Sequence, residues 1–216
     1  MKTDMQMQQD VLAELKWEPA VNAAQIGVEV KDGVVTLAGH VGSYAEKWHA
    51  EQAVQRVSGL KALAIEIDVT LPGSSKRNDS DIAHSAENVL QWMTYLPEDA
   101  VNVAVEGGWI TLSGEVDWEY QKLAAVGAVR HLMGVTGVSN QIVIKPKISL
   151  SAVESEIEAA LKRRAHIDAQ NISVEIQGAN VTLAGTVHSL AERNLACHSA
   201  WGTPGVRNVV DHLVIV

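Results

Sequence analysis

Cys197 is followed directly by His198, and a thiol beside an imidazole is the raw material of a nucleophile with its base or of a soft metal site. Neighbours on a helix point about 100° apart, which is poor geometry for either task, so Cys197 reads as a small helix-face residue. It is the one cysteine in 216 residues, which rules out an internal disulfide and a multi-thiolate zinc site. The eight histidines are dispersed. His84, His131 and His166 fall in different elements, and His188, His198 and His212 on a loop, a helix and a strand, whereas a metal needs them to converge. No phosphate-binding glycine loop, nucleophile elbow or zinc-binding helix motif is present, and the acidic residues form no repeated pair. These residues predict no catalytic site, no metal and no cofactor.

Large side chains offer more. Trp17 and Trp92 each follow an inward-facing leucine, Leu15 and Leu90, by two residues. The second continues as Gln91-Trp92-Met93-Thr94-Tyr95-Leu96, amphipathic aromatics gathered at a helix end. Such a group suits a bilayer interface or a partner's groove, or else covers the rim of a small core. The aligned segment further on is Lys162-Arg163-Arg164, whose charge suits lipid phosphates or the negative end of its own helix. The formal net charge of −9 opposes nucleic acid and anionic surfaces at long range. It is uneven: −4 over residues 1–72, −5 over 80–146 and −1 over 147–216.

The elements that must position these residues come three times. Val35-Thr36-Leu37-Ala38-Gly39, Ile110-Thr111-Leu112-Ser113-Gly114 and Val181-Thr182-Leu183-Ala184-Gly185 are offset by 75 and then 71 residues. The same offsets align Leu15, Leu90 and Leu161, then Ala50, Ala125 and Ala196, then Gly59, Gly134 and Gly205, without a gap. One register held through whole segments marks internal duplication. It predicts modules over 1–72, 80–146 and 147–216, with 73–79 (Pro-, Gly- and Ser-flanked and charged) as a flexible linker. The shorter second junction, from Pro146, predicts that modules two and three are held more closely than one and two.

Within each module apolar residues first recur four apart: Met7, Val11, Leu15; Ile82, Ala86, Leu90; Val153, Ile157, Leu161. That is one stripe of an amphipathic helix, and Ser151 with Glu154 has capping-box spacing at the third. Strict alternation follows, as in Ile26, Val28 and Val30, and marks a half-buried strand. Asp32-Gly33, Gly107-Gly108 and Gly178-Ala179-Asn180 then suit a tight turn into the Thr-Leu-x-Gly strand. Ser43 with Glu46 and Ser189 with Glu192 open a second helix; module two has Trp118 instead, where Asp117 is placed to cap one residue earlier. Gly59, Gly134 and Gly205 suit the left-handed end of that helix, and a third alternating strand closes each copy. Gly39, Gly114 and Gly185, on the inward side of the second strand, predict a helix in close approach or a bulge.

The fold class is α+β: three tandem α-β-β-α-β two-layer sandwiches, each a three-stranded mixed sheet with two helices on one face. The outward face is polar in module one, at Glu29, Lys31, Glu66 and Asp68. It is more apolar in module two, at Ala104, Trp109 and Val143, and in module three, at Ala184, Val210 and Val214. Apolar groups there predict that modules two and three pack through this face, or that one of them makes a homo-oligomer contact.

The stretches Val28 to Val41, Val103 to Val116 and Val174 to Val187, with Gly59-Leu60, Gly134-Val135 and Gly205-Val206 after them, resemble the BON domain of bacterial osmotically inducible and nodulation proteins. The resemblance spans nearly the whole chain. It implies a bacterial envelope or stress context, with roles in phospholipid binding, envelope maintenance and protein contact. One reading is a peripheral phospholipid-binding protein, with Trp17, Trp92, Tyr95 and Leu96 as contacts and Arg163 and Arg164 as auxiliary charge. The other is a protein-interaction or chaperone-like scaffold, in which three modules raise avidity. No apolar run nears the roughly 20 residues that span a bilayer, and no apolar stretch of signal-peptide length follows Lys2. A cytoplasmic location is expected, or a periplasmic one if a leader has been removed.

Overall fold

The computed structural model describes residues 2–144, 172–178, 180–203, 206 and 208–216. Module one runs α1 (Asp4–Trp17), β1 (Ile26–Lys31), β2 (Val34–Val41), α2 (Tyr44–Gln55) and β3 (Ala62–Val69). Module two repeats the order as α3 (Asp79–Gln91), β4 (Val101–Glu106), β5 (Trp109–Val116), α4 (Glu119–Arg130) and β6 (Gly137–Ile144). Module three shows β7 (Ile172–Gln177), β8 (Asn180–Val187), α5 (Leu190–Trp201) and β9 (Asn208–Ile215). The stripe Val153, Ile157 and Leu161, the pair Ser151 and Glu154, and Arg163, Arg164, His166 and Gly205 lie outside the described residues.

Each sheet has the Thr-Leu-x-Gly strand at its centre, antiparallel to the first strand and parallel to the third. A parallel return needs a crossover, and the second helix supplies it. Both helices of modules one and two cover the same apolar layer. Met7, Val11 and Leu15 of α1 are buried with Leu37, Val54 and Ile67; Ile82, Ala86 and Leu90 of α3 are buried with Leu112, Val129 and Ile142. Module three has its own cluster around Val181, Leu183, Ala200 and Leu213. Aliphatic side chains fill all three, as a chain with no phenylalanine requires.

The first turn is positive in φ at both central residues, Asp32 and Gly33 in module one and Gly107 and Gly108 in module two. That geometry follows the twist of the paired strands. An aspartate at the start of the preceding helix holds it: Asp4 accepts from the backbone N–H groups of Asp32 and Gly33 at 2.8 and 3.1 Å, and Asp79 from those of Gly107 and Gly108 at 2.8 and 2.9 Å. Within 73–79, Gly73–Ser75 form a single 3-10 turn, Asn78 caps α3 and Asp79 is its first residue.

Three expectations need correction. Gly39 and Gly114 do face something close, but it is backbone and not a helix. A Cβ there would lie 2.1 Å from the carbonyl oxygen of Gln25 or Ala100, and φ is +135° and +132°, with +134° at Gly185. Gly59 and Gly134 take the expected positive φ, yet they end the turn after α2 and α4 and do not cap the helix directly. In module two Trp118 holds the N-cap position with no side-chain bond; Gln121 caps instead, its Oε1 accepting from the N–H groups of Asp117 and Trp118 at 3.0 Å each. Glu46 does the same for Gly42 and Glu192 for His188.

Candidate functional site

No three His, Cys, Asp or Glu side chains converge to hold a metal ion among the described residues. Cys197 lies beside Asp211, and burial first, then that carboxylate, pushes its thiol up to about 11. Such a thiol is almost wholly protonated at neutral pH, so it is a poor nucleophile. Asp211 itself is tied to Arg193 at 2.6 Å and to the Leu213 N–H at 2.9 Å.

The tryptophans are the clearest exposed feature. Trp17 is 83% and Trp92 86% exposed, so neither covers the rim of a core. Helical geometry explains it: two residues beyond an inward leucine is about 200° around the axis, the opposite side of the helix. Trp92 stands at the C-terminal end of α3, and the chain continues through Tyr95 and Leu96. Leu96 is half-buried and packs on the core of module two, which fixes the loop. Gln121 Nε2 donates to the Tyr95 carbonyl at 2.7 Å. The Tyr95 ring lies 6.0 Å from that of Tyr120, the second residue of α4, and both are exposed. Trp92, Tyr95 and Tyr120 thus belong to one end of module two. Tyr120 is the member that sequence reading passed over, because the other modules have alanine there, Ala45 and Ala191.

Beside this end lies an open groove of about 500 Å³, lined among others by Glu87, Leu90, Leu96, Glu98, Asp99 and Val103. Its lining carboxylates give it an acidic rim, and Asp99 takes φ of +57° there.

The outward sheet faces of modules two and three are not brought together. Trp109 is 48% exposed and lies flat over Gly137, its partner in register on β6; a Cβ on that glycine would fall 2.2 Å from the indole. Val143 and Val214 are exposed and Val210 is half-buried. Among the described residues, the side-chain and packing contacts between modules gather on and beside the second helices, and those with printed geometry lie where module one meets each of the others. The Arg130 guanidinium sits over the Trp48 ring, and Tyr44 packs on the core of module two with the Val138 backbone in reach of its hydroxyl. Leu190 packs on the core of module one, the Gly59 N–H donates to the His188 carbonyl at 3.0 Å, and Asn194 Nδ2 donates to Gln55 Oε1 at 3.0 Å. The second junction, from Pro146, lies outside the described residues. Burial raises the carboxyl of Glu51 and the phenol of Tyr44 and lowers the Arg130 guanidinium at the first of these junctions.

With the fold and its surfaces in view, comparison with known proteins is decisive. The BON domain family model matches residues 3–70, 78–146 and 149–216. The chain belongs to the BON domain family. It is 28% identical over 144 residues to the osmotically-inducible protein Y of Escherichia coli (strain K12), a match covering 63% of this chain and 72% of that protein. Among solved structures, two of CdsD, a structural protein of the type III secretion system of Chlamydia trachomatis, align at 16% and 15% identity. They cover 96% and 100% of this chain and 91% and 100% of theirs, with a TM-score of 0.27 in each case, too low to carry structural meaning. In BON terms the shared glycines build the scaffold, Trp92 has its counterpart in Trp17 of module one, and Tyr95 and Tyr120 are particular to the second module.

Proposed function

We propose that this chain of three BON domains is a non-enzymatic, envelope-associated osmotic-stress protein that docks peripherally on a phospholipid surface through the α3 end of module two. The observation that carries the reading is the Trp92 ring, 86% exposed on a loop anchored by the buried side of Leu96. An indole exposed to water is poised for a bilayer interface, where its apolar body and N–H are both satisfied. Tyr95 and Tyr120 extend the contact, Trp17 offers the aligned group in module one, and Arg163 and Arg164 add charge toward lipid phosphates. No helix among the described residues is long and apolar enough to cross a membrane, which suits peripheral attachment. Flotation with vesicles of phosphatidylglycerol and phosphatidylethanolamine tests it. Binding that drops at least tenfold in Trp92→Ala supports the reading, and wild-type protein that stays with the soluble fraction with unshifted Trp emission removes it.

The net charge of −9 and the acidic groove favour a second reading, a protein-interaction or chaperone-like scaffold. There Trp109, Val143, Val210 and Val214 supply the contact face, including one for a second copy. Trp109→Asp then loosens the association; sedimentation and protease resistance that do not change count against it.

A further inference from the structure

The contacts between modules fall on positions that the repeat offsets align. Tyr44, Glu119 and Leu190 are the first residues of α2, α4 and α5. Tyr44 packs on the core of module two and Leu190 on the core of module one; Glu119, half-buried at the aligned position, has its carboxyl raised by burial, with Lys122 and then His198 of module three acting against the rise. One turn further along, the aligned residues are Trp48, Leu123 and Asn194; at the far end of the same helices they are Gln55, Arg130 and Trp201. Trp48 of module one meets Arg130 of module two, and Asn194 of module three meets Gln55 of module one. These contacts run from the start of one second helix toward the later part of the next, from module one to two and from three to one.

A head-to-tail contact repeated between like units makes an open helix or a closed ring, depending on whether its rotation returns to the first unit. Here it returns. We infer that the three junctions are one module-recognition surface used three times, that the partner it takes is another module of the same architecture, and that within this chain it closes into a pseudo-three-fold ring. The residue types differ between the two junctions that the side chains show: an aromatic–guanidinium stack at one, an amide pair with a leucine at the other. The ring therefore has one permitted order of modules, since moving a module would set unlike side chains against each other. A closed rotation has no rise along its axis, so aligned residues share a level, and the exposed Trp17 and Trp92 are presented on the same side of the ring.

The closing junction is the one to test, because 139 residues separate Gln55 from Asn194 and no short connection holds them together. Cysteines replace this exposed pair, Gln55→Cys with Asn194→Cys in a Cys197→Ala full-length chain, and a short bis-maleimide is added at low protein concentration. The expected product is a cross-linked monomer of altered gel mobility, and adding Leu190→Asp should lower its yield several-fold. Each single-cysteine chain serves as control, and circular dichroism shows that the modules stay folded. Absence of a cross-link in folded protein, or cross-linked dimers alone, overturns the ring. Small-angle scattering of the uncross-linked chain gives an independent reading: Leu190→Asp enlarges the radius of gyration if the ring is real, and an unchanged radius rejects it. Neither result depends on whether the protein binds lipid.

Discussion

The guanidinium carbon of Arg130 lies 3.8 Å from the ring centroid of Trp48, across the boundary between modules one and two. Its Nε is buried with no hydrogen-bond partner, so the indole face and the nearby Glu51 carry much of the compensation for its charge. A desolvated cation–π contact is worth about 2 kcal/mol. Trp48→Ala should lower stability by roughly that amount or somewhat more, since packing is lost with it. Arg130→Met, which keeps the stem and removes the buried charge, should be nearly neutral. Urea unfolding of the two variants beside the parent checks both, and equal losses would mean that the charge does not rest on the ring.

Glu51 faces the same junction. Burial raises its carboxyl, and Lys47, Arg130 and the hydrogen bond from Gln55 only partly offset this. The folded protein then holds the proton more tightly than the unfolded chain. Its contribution to stability is most favourable below the ordinary carboxyl range and declines as pH rises through it to the raised value. Glu51→Gln should flatten that decline and add stability at pH 7, by at most about 1 kcal/mol because the group keeps part of its solvent screening. Melting temperatures from pH 4 to pH 8 decide it; a variant less stable than the parent at pH 7 would show that the pairing with Arg130 outweighs burial.

Helix stripes and strand alternation were legible because their periods are local: Leu15 and Leu90 name their inward faces within a single turn. The exposure of Trp17 and Trp92 was legible too, from the 200° step, although their apolar character also suggested a core rim. The reason for Gly39 and Gly114 was not, since the carbonyl they avoid is delivered by the pairing of the strands. Asp4 and Asp79 share the 75-residue offset, yet their task appears only once the turn stands over the helix. Junctions such as Asn194 with Gln55 leave no local periodicity at all.

Glycine substitutions should separate according to what a Cβ meets. At Gly114, with φ of +132° and the Ala100 oxygen 2.1 Å from where a Cβ would stand, alanine is both strained and obstructed. Gly114→Ala should cost about 3 kcal/mol or more. At Gly127, inside α4, nothing lies within 4 Å of the added carbon. Gly127→Ala should stabilise by about 0.5–1 kcal/mol. Denaturant midpoints measure both; a tolerated Gly114→Ala would mean that the strand pairing can shift.

Asp79 offers a repeated interaction that can be removed with little change of shape. Its two carboxylate oxygens each accept a backbone N–H of the glycine turn, and the side chain also stands at the positive end of α3. Asp79→Asn keeps the size but loses the charge and one acceptor. The expected loss is about 1–2 kcal/mol. Amide exchange at Gly107 and Gly108 should quicken while the core of β5 stays protected, and unaltered exchange at both glycines would place the turn's rigidity elsewhere.

Cys197 and Asp211 make the last prediction, one of reactivity. With its thiol pushed up to about 11, Cys197 has only about one part in a thousand ionised at pH 8, and the thiolate is the reactive form. Burial comes first among the causes and the Asp211 carboxylate second, so Asp211→Asn should lower the thiol's value without restoring an ordinary one. Alkylation at pH 8 should therefore quicken in the variant yet remain slower than in unfolded chain. Asp211 also bears on stability. Burial alone would raise its carboxyl, but the Leu213 N–H, Arg193 and Cys197 together hold it below the usual range. The stability it contributes is present above the unfolded carboxyl value and is lost as pH falls through the lowered one. Asp211→Asn should thus be destabilising at pH 7, with the difference from the parent shrinking toward acid. A variant whose cysteine reacts no faster would leave burial as the whole cause, and a stability gap that widened in acid would contradict the lowered carboxyl.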